Sequence, residues 1–106
     1  MAQWVRICGV GEAPKIGRAI EVEADGLWVC LANVNGELNA LYNWCPHAQG
    51  PLGQGLVQGD SVICPWHSWT FNVKTGLAEH PVHDRVPVFP VRVEGDDVLV
   101  DVEYGG

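Results

Sequence analysis

Apolar residues along the chain recur mostly at every second position in short runs, and no stretch of about 11 residues or more holds the 3.6-residue period of an amphipathic helix. The pattern predicts an all-β protein. Trp4 to Cys8, Arg18 to Glu23 and Leu27 to Ala32 are runs rich in Val, Ile and Trp, and Ala24-Asp25-Gly26 joins the last two as a tight hairpin. Asn35-Gly36 is a stronger signal. Both central residues of a type I′ turn need positive φ, which Asn and Gly tolerate, so Leu31–Val34 and Glu37–Tyr42 are expected to pair antiparallel in a meander. Near the end, Val86–Glu94 and Val98–Glu103 flank Gly95-Asp96-Asp97, a hairpin expected to close a barrel or sandwich. Within it, Val98, Val100 and Val102 face opposite to Leu99, Asp101 and Glu103. Pro87 and Pro90 cannot donate to a ladder, which makes Val86–Glu94 an edge strand or a bulged one.

Residues 43–85 follow another pattern. Gly50, Pro51, Gly53, Gly55 and Gly59 punctuate them, and only short strands such as Ser61–Cys64 and Trp69–Val73 fit, so this segment reads as a loop-built site set into a β scaffold. The 106 residues suit one domain, 1–106, and a composition 47% hydrophobic and 18% charged is too apolar for disorder. Six Lys and Arg against 13 Asp and Glu give a net charge of -7, the wrong sign for gathering phosphates. Nucleic acids and anionic membranes are therefore excluded as expected partners. With no apolar run near the roughly 18 residues of a membrane helix and no basic-then-apolar leader, a cytoplasmic location is expected. In that setting the four cysteines read as metal ligands or buried thiols rather than disulfides.

Two cysteines and two histidines fall into paired groups, Cys45-Pro46-His47 and Cys64-Pro65-Trp66-His67, separated by the 16 residues from Ala48 to Ile63. Thiolate and imidazole are ligands of zinc and of iron–sulfur centres, so the pairing points to a metal. Residues i and i+2 on one loop chelate a single tetrahedral ion awkwardly, since structural zinc sites usually leave two to four residues between paired ligands. A two-iron centre relieves that strain. Each loop then gives its Cys to one iron and its His to the other, the arrangement in which two His replace two Cys on one iron of a [2Fe–2S] cluster.

The run Cys45-Pro-His47, Gly50-Pro51-Leu52-Gly53, Cys64-Pro-Trp-His67-Ser68-Trp69-Thr-Phe71 and Thr75-Gly76 resembles the two cluster-binding loops of Rieske-type ferredoxins. The resemblance covers about a third of the chain directly. It implies a Rieske-like fold of three antiparallel β-sheets with a cluster-binding subdomain over about 43–85. It also implies one [2Fe–2S] cluster held by Cys45, His47, Cys64 and His67. Respiratory Rieske proteins add a disulfide between positions matching Gly50 and Trp66, and hydroxyl side chains at positions matching Trp69 and Phe71; neither device is present here. Donors to cluster sulfur stabilise the reduced state, so their loss implies a potential near the low end of the Rieske range, roughly -150 mV rather than +300 mV. The implied function is that of a soluble one-electron carrier, not itself an enzyme. It would take electrons from a flavin-dependent reductase and pass them to a terminal oxygenase or similar redox enzyme. The alternatives are the small subunit of an assimilatory NAD(P)H nitrite reductase and a zinc-stabilised binding module; Cys/His nucleophilic catalysis leaves the duplicated loops unexplained.

From Leu38 through Val73 the only charged residue is Asp60, so the loops should present an almost uncharged surface, while seven of the thirteen acidic residues follow Leu77 and could steer a basic partner. Cys8 and Cys30, in predicted strands without a nearby ligand partner, read as small hydrophobes. His80 and His83 read as solvated or hydrogen-bonded, with Pro81 in a third, proline-bearing loop that the resemblance places over the cluster. Trp44, Trp66 and Trp69 read as aromatic packing around the loops, and Trp4 and Trp28 as core.

Overall fold

The computed structural model describes residues 2–46, 49–66, 68–80 and 84–103. Its strands are β1 (Trp4–Gly9), β2 (Ala19–Ala24), β3 (Leu27–Val34), β4 (Glu37–Tyr42), β5 (Leu56–Gln58), β6 (Ser61–Ile63), β7 (Thr70–Asn72), β8 (Ala78–His80), β9 (Val88–Phe89), β10 (Val91–Glu94) and β11 (Asp97–Asp101). They form three antiparallel sheets, ordered β1-β11-β10, β2-β3-β4-β9 and β5-β6-β7-β8. The all-β, three-sheet expectation holds.

The two tight hairpins form as the sequence predicts. Asp25 and Gly26 take φ of 53° and 87° between the paired Ala24 and Leu27, and Asn35 and Gly36 take 54° and 95° between Val34 and Glu37. Positive φ at both central residues is the I′ condition, and its twist matches that of the strands it joins. β3 carries apolar residues at both parities because it is covered on both faces. Val29 and Leu31 pack with Cys8, Ala40, Phe89, Val98 and Val100 between the first two sheets, whereas Cys30, Ala32 and Val34 pack with Leu41, Val62, Phe71 and Val73 between the second and third. The second sheet is thus the middle layer.

Four expectations need correction. Val86–Glu94 is not one strand: it breaks at Pro90, leaving β9 on the edge of the second sheet and β10 on the edge of the first. The proline carbonyls still take part, Pro87 accepting from Tyr42 N–H at 2.8 Å and Pro90 from Asp101 N–H at 3.1 Å. The last strand stops at Asp101, which is buried because its carboxylate accepts the Gln3 and Glu103 N–H groups. Residues 43–85 hold a four-stranded sheet, with β5 and β8 in addition to the two expected strands. Nor are Trp4 and Trp28 core. Trp28 is 40% exposed on the Cys30 side of β3, and Trp4 is half-buried beneath the Arg92 guanidinium, 4.1 Å from its ring.

Candidate metal centre

The two cysteine loops are congruent hairpins. In the second, Ile63 pairs with Thr70, the Cys64 N–H donates to the Trp69 carbonyl at 2.7 Å, and Ser68 has φ 59°. In the first, Trp44 bridges Pro51, the Cys45 N–H donates to the Gly50 carbonyl at 2.8 Å, and Gln49 has φ 60°. Each loop therefore opens on a cysteine, turns through a left-handed residue four positions later and closes at the fifth. Neither Gln nor Ser favours that conformation, which costs roughly 1–3 kcal/mol at such residues and concentrates at functional sites.

Congruence brings the cysteines together. Cys45 and Cys64 are free thiols, buried over Leu52, Val62 and Phe71, and lie within hydrogen-bond reach of each other. Burial is the largest cause pushing the Cys64 thiol above its ordinary value; the Trp66 N–H, 3.4 Å from Cys64 Sγ, draws it back, and the adjoining Cys45 pushes it up again. Two thiolates cannot coexist in such surroundings unless a cation neutralises them, which is the condition a metal–thiolate centre satisfies. Gly50 leaves the room this requires: a methyl group there would lie 2.5 Å from Cys64 Sγ and 3.3 Å from Trp66 Cβ. The donor set thus fits a soft metal–sulfur group. His47 and His67 lie outside the described residues, as do Pro81 and His83.

Other site residues expected from sequence find their places. Phe71 is fully buried, with its ring 6.4 Å from that of Trp69, whereas Trp66 is half exposed. Cys30 and Cys8 are buried in the two cores, as expected of small hydrophobes. Burial, reinforced by Glu21, pushes the Cys30 thiol up to about 12.

Sequence reading missed Asn43 and its partners. Asn43 is buried beneath the first hairpin, donates from Nδ2 to Glu21 Oε2 at 2.7 Å and accepts the Gly53 N–H at Oδ1 at 2.9 Å. Glu21 Oε1 accepts from Gln54 Nε2 at 2.9 Å. The one local signal was an Asn two residues before the first cysteine.

The Rieske [2Fe-2S] domain profile matches residues 3–90. The biphenyl dioxygenase ferredoxin subunit of Pseudomonas sp. strain KKS102 is 38% identical over 100 residues, covering 92% of this chain and 91% of that one. A solved complex of reduced oxygenase and oxidized ferredoxin in carbazole 1,9a-dioxygenase contains a chain 28% identical to this one, with a TM-score of 0.82 and 92% of each chain covered. The small subunit of a putative NADH-dependent nitrite reductase from Mycobacterium tuberculosis superposes with a TM-score of 0.85 over 94% of this chain and 95% of that one, at 24% identity, a likeness of fold alone. By the profile match and by the 38% identical dioxygenase ferredoxin, the chain belongs to the Rieske [2Fe-2S] domain family.

Proposed function

We infer that this chain is a one-electron carrier, a Rieske-type ferredoxin whose [2Fe–2S] cluster is held by Cys45 and Cys64 on one iron and His47 and His67 on the other. The observation that carries this reading is the pair of congruent hairpins, each opening on a buried cysteine whose thiol reaches the other's. When bound, such a cluster supplies a reversible one-electron couple. Two ferric ions, two sulfides, two thiolates and two neutral imidazoles sum to about zero charge, against about -2 for four thiolates, so reduction is easier than at an all-cysteine centre. The chain supplies apolar covering through Leu52, Val62 and Phe71, and Trp66 N–H is a backbone donor to Cys64 Sγ. With an indole at Trp69 and a phenyl ring at Phe71 in place of hydroxyl groups, the potential falls toward the low end of the family range.

The acceptor is a terminal oxygenase, as the names of the ferredoxin relatives suggest, and the donor is the flavin-dependent reductase that the sequence resemblance implies; the carrier works in the cytoplasm as a single 1–106 domain without catalysing a reaction itself. Oxygenase-system ferredoxins are its relatives by sequence, whereas the nitrite reductase small subunit is alike in fold only, which favours the free carrier. The deciding experiment is low-temperature EPR of anaerobically purified, dithionite-reduced protein, with iron, zinc and acid-labile sulfide assayed on the same sample. About two Fe and two sulfides with the low average g-value of a His-ligated cluster are expected. A colourless protein holding about one zinc would overturn the carrier in favour of a zinc-stabilised binding module.

A further inference from the structure

The two hairpins are alike at their tips but not at their roots. The Cys64 hairpin grows from a three-rung ladder between β6 and β7, in which Ser61, Val62 and Ile63 pair with Asn72, Phe71 and Thr70. The Cys45 hairpin stands on the bridge between Trp44 and Pro51, and below it the ladder stops because the Asn43 N–H donates to the Trp28 carbonyl at 3.2 Å and Leu52–Gln54 wind into a 3-10 turn. Below that bridge Asn43 takes the place of the ladder. Its backbone carbonyl accepts the Leu52 N–H at 2.7 Å, its side-chain oxygen accepts the Gly53 N–H at 2.9 Å, and its amide nitrogen donates to Glu21 of β2 at 2.7 Å. The second Glu21 oxygen accepts from Gln54, so the carboxylate ties both ends of the segment 43–54 to the middle sheet. There is no slack in this root. A methyl group at Gly53 would stand 2.5 Å from Glu21 Cγ, 2.8 Å from Glu21 N and 2.9 Å from Asn43 Oδ1.

We propose that Asn43, held by Glu21, is a positioning residue for the metal centre: it fixes the root of the Cys45 hairpin on β2 and so sets where Cys45 stands relative to Cys64. The proposal rests on reading those two cysteines as ligands. Asn43 lies two residues from Cys45, with one bridge between them, so a shift of the root is passed to the thiol. The Cys64 side, anchored in its own ladder, does not follow. Ligand supports of this kind typically change metal retention by 10–100-fold when removed.

The polarity of the Glu21–Gln54 contact allows a test by exchange, in which the double variant conserves net charge. In E21Q the new amide cannot accept from both Asn43 and Gln54, and one pair of N–H groups is left facing. In Q54E two carboxylates meet. In E21Q/Q54E the amide at position 21 accepts from Asn43 through its oxygen and donates to the carboxylate at position 54, which restores complementarity. Each variant of the cluster-loaded protein is assayed for the rate of iron release to a chelator and for the EPR g-values of the reduced form. Amide hydrogen exchange at Cys45, Gly53 and β6–β7 is followed in the same samples.

Each single variant is expected to release iron about tenfold faster, to shift the g-values, and to speed exchange at Cys45 and Gly53 while β6–β7 stays protected. The double variant returns all three to wild type. Wild-type release and g-values in the single variants would overturn the proposal, as would exchange rising equally in both hairpins or a double variant that does not recover. Wild-type protein without a cluster would refute the ligand reading instead; in that case hydrogen exchange alone still decides whether Asn43 and Glu21 fix this root.

Discussion

Substituting Gly50 by Ala tests whether the cysteine hairpins are as close as their packing indicates. The backbone of Gly50 does not lie in the left-handed region, so alanine brings no φ penalty and acts only through its methyl group. That methyl would stand 2.5 Å from Cys64 Sγ, where ordinary contact begins at 3.4 Å, so the hairpins must part by about 0.9 Å. Cys64 cannot retreat cheaply, because it is 1% exposed and its hairpin continues the β6–β7 ladder. Overpacking of this kind costs about 1–3 kcal/mol. For a domain of this size that is a fall in Tm of roughly 5–20 °C. Separating the thiols would also misplace the two cysteines proposed as ligands, so on that reading iron content should fall with Tm. Gly11→Ala is the control: no atom lies within 4 Å of its added methyl, and stability should hold or rise by up to about 1 kcal/mol. Calorimetry and iron assay of the two variants in parallel decide the matter. A Gly50→Ala protein that melts with wild type and keeps its full iron would refute the account of the hairpin contact.

If the proposed cluster crosslinks the two loops, Cys45→Ser should abolish the two-iron signal and loosen residues 43–85; a variant with wild-type iron and colour would remove Cys45 from the proposed ligand set. Burial of Cys30 favours the neutral thiol, so its contribution is complete below pH 9 and disappears as pH rises through about 12. It amounts to about 4 kcal/mol across that range. Cys30→Ala should accordingly flatten the decline of the urea midpoint between pH 9 and 12, and parallel declines in the two proteins would contradict this. Phe71→Tyr offers a hydroxyl near the cysteines and should raise the reduction potential measured by voltammetry; an unchanged or lower potential would end the argument from missing donors. With a net charge of -7, reduction by a basic partner should slow as salt rises, and stopped-flow rates independent of ionic strength would show that long-range attraction plays no part.

What the sequence disclosed and what it hid follow from the range of the interactions. The hairpins at Asp25-Gly26 and Asn35-Gly36 were legible because positive φ at two adjacent residues is a local demand that few residue types meet. β3 was legible as a strand from its continuous apolar run, though not as the middle layer, since burial on both faces depends on the sheets that cover it. Trp28 misled for the same reason. Its size and strand setting favour the core, yet it lies on the Cys30 face of β3 where it stays 40% exposed. β5 and β8 were missed because a three-residue strand leaves almost no periodic trace and depends on its neighbours in the sheet.

The candidate site divides along the same line. Its chemistry is local: Cys45 and Cys64, each followed by proline and then a histidine, state a donor set in four residues or fewer. The congruence of the hairpins was masked because the histidines stand at different offsets, two and three, from their cysteines. The left-handed positions carry Gln49 and Ser68 rather than the glycine that would have marked them. The support of the first hairpin is wholly non-local, since Asn43 and Gln54 meet Glu21 across 22 and 33 residues of chain. The course of the chain explains why such support is needed. Below the Trp44–Pro51 bridge the Asn43 N–H turns to the Trp28 carbonyl and Leu52–Gln54 wind into a 3-10 turn, so the ladder goes no further and the root is held by side chains. The buried Asn43 and the carboxylate that binds it supply that hold, and they tie the site to β2 rather than to the strands beside it in sequence.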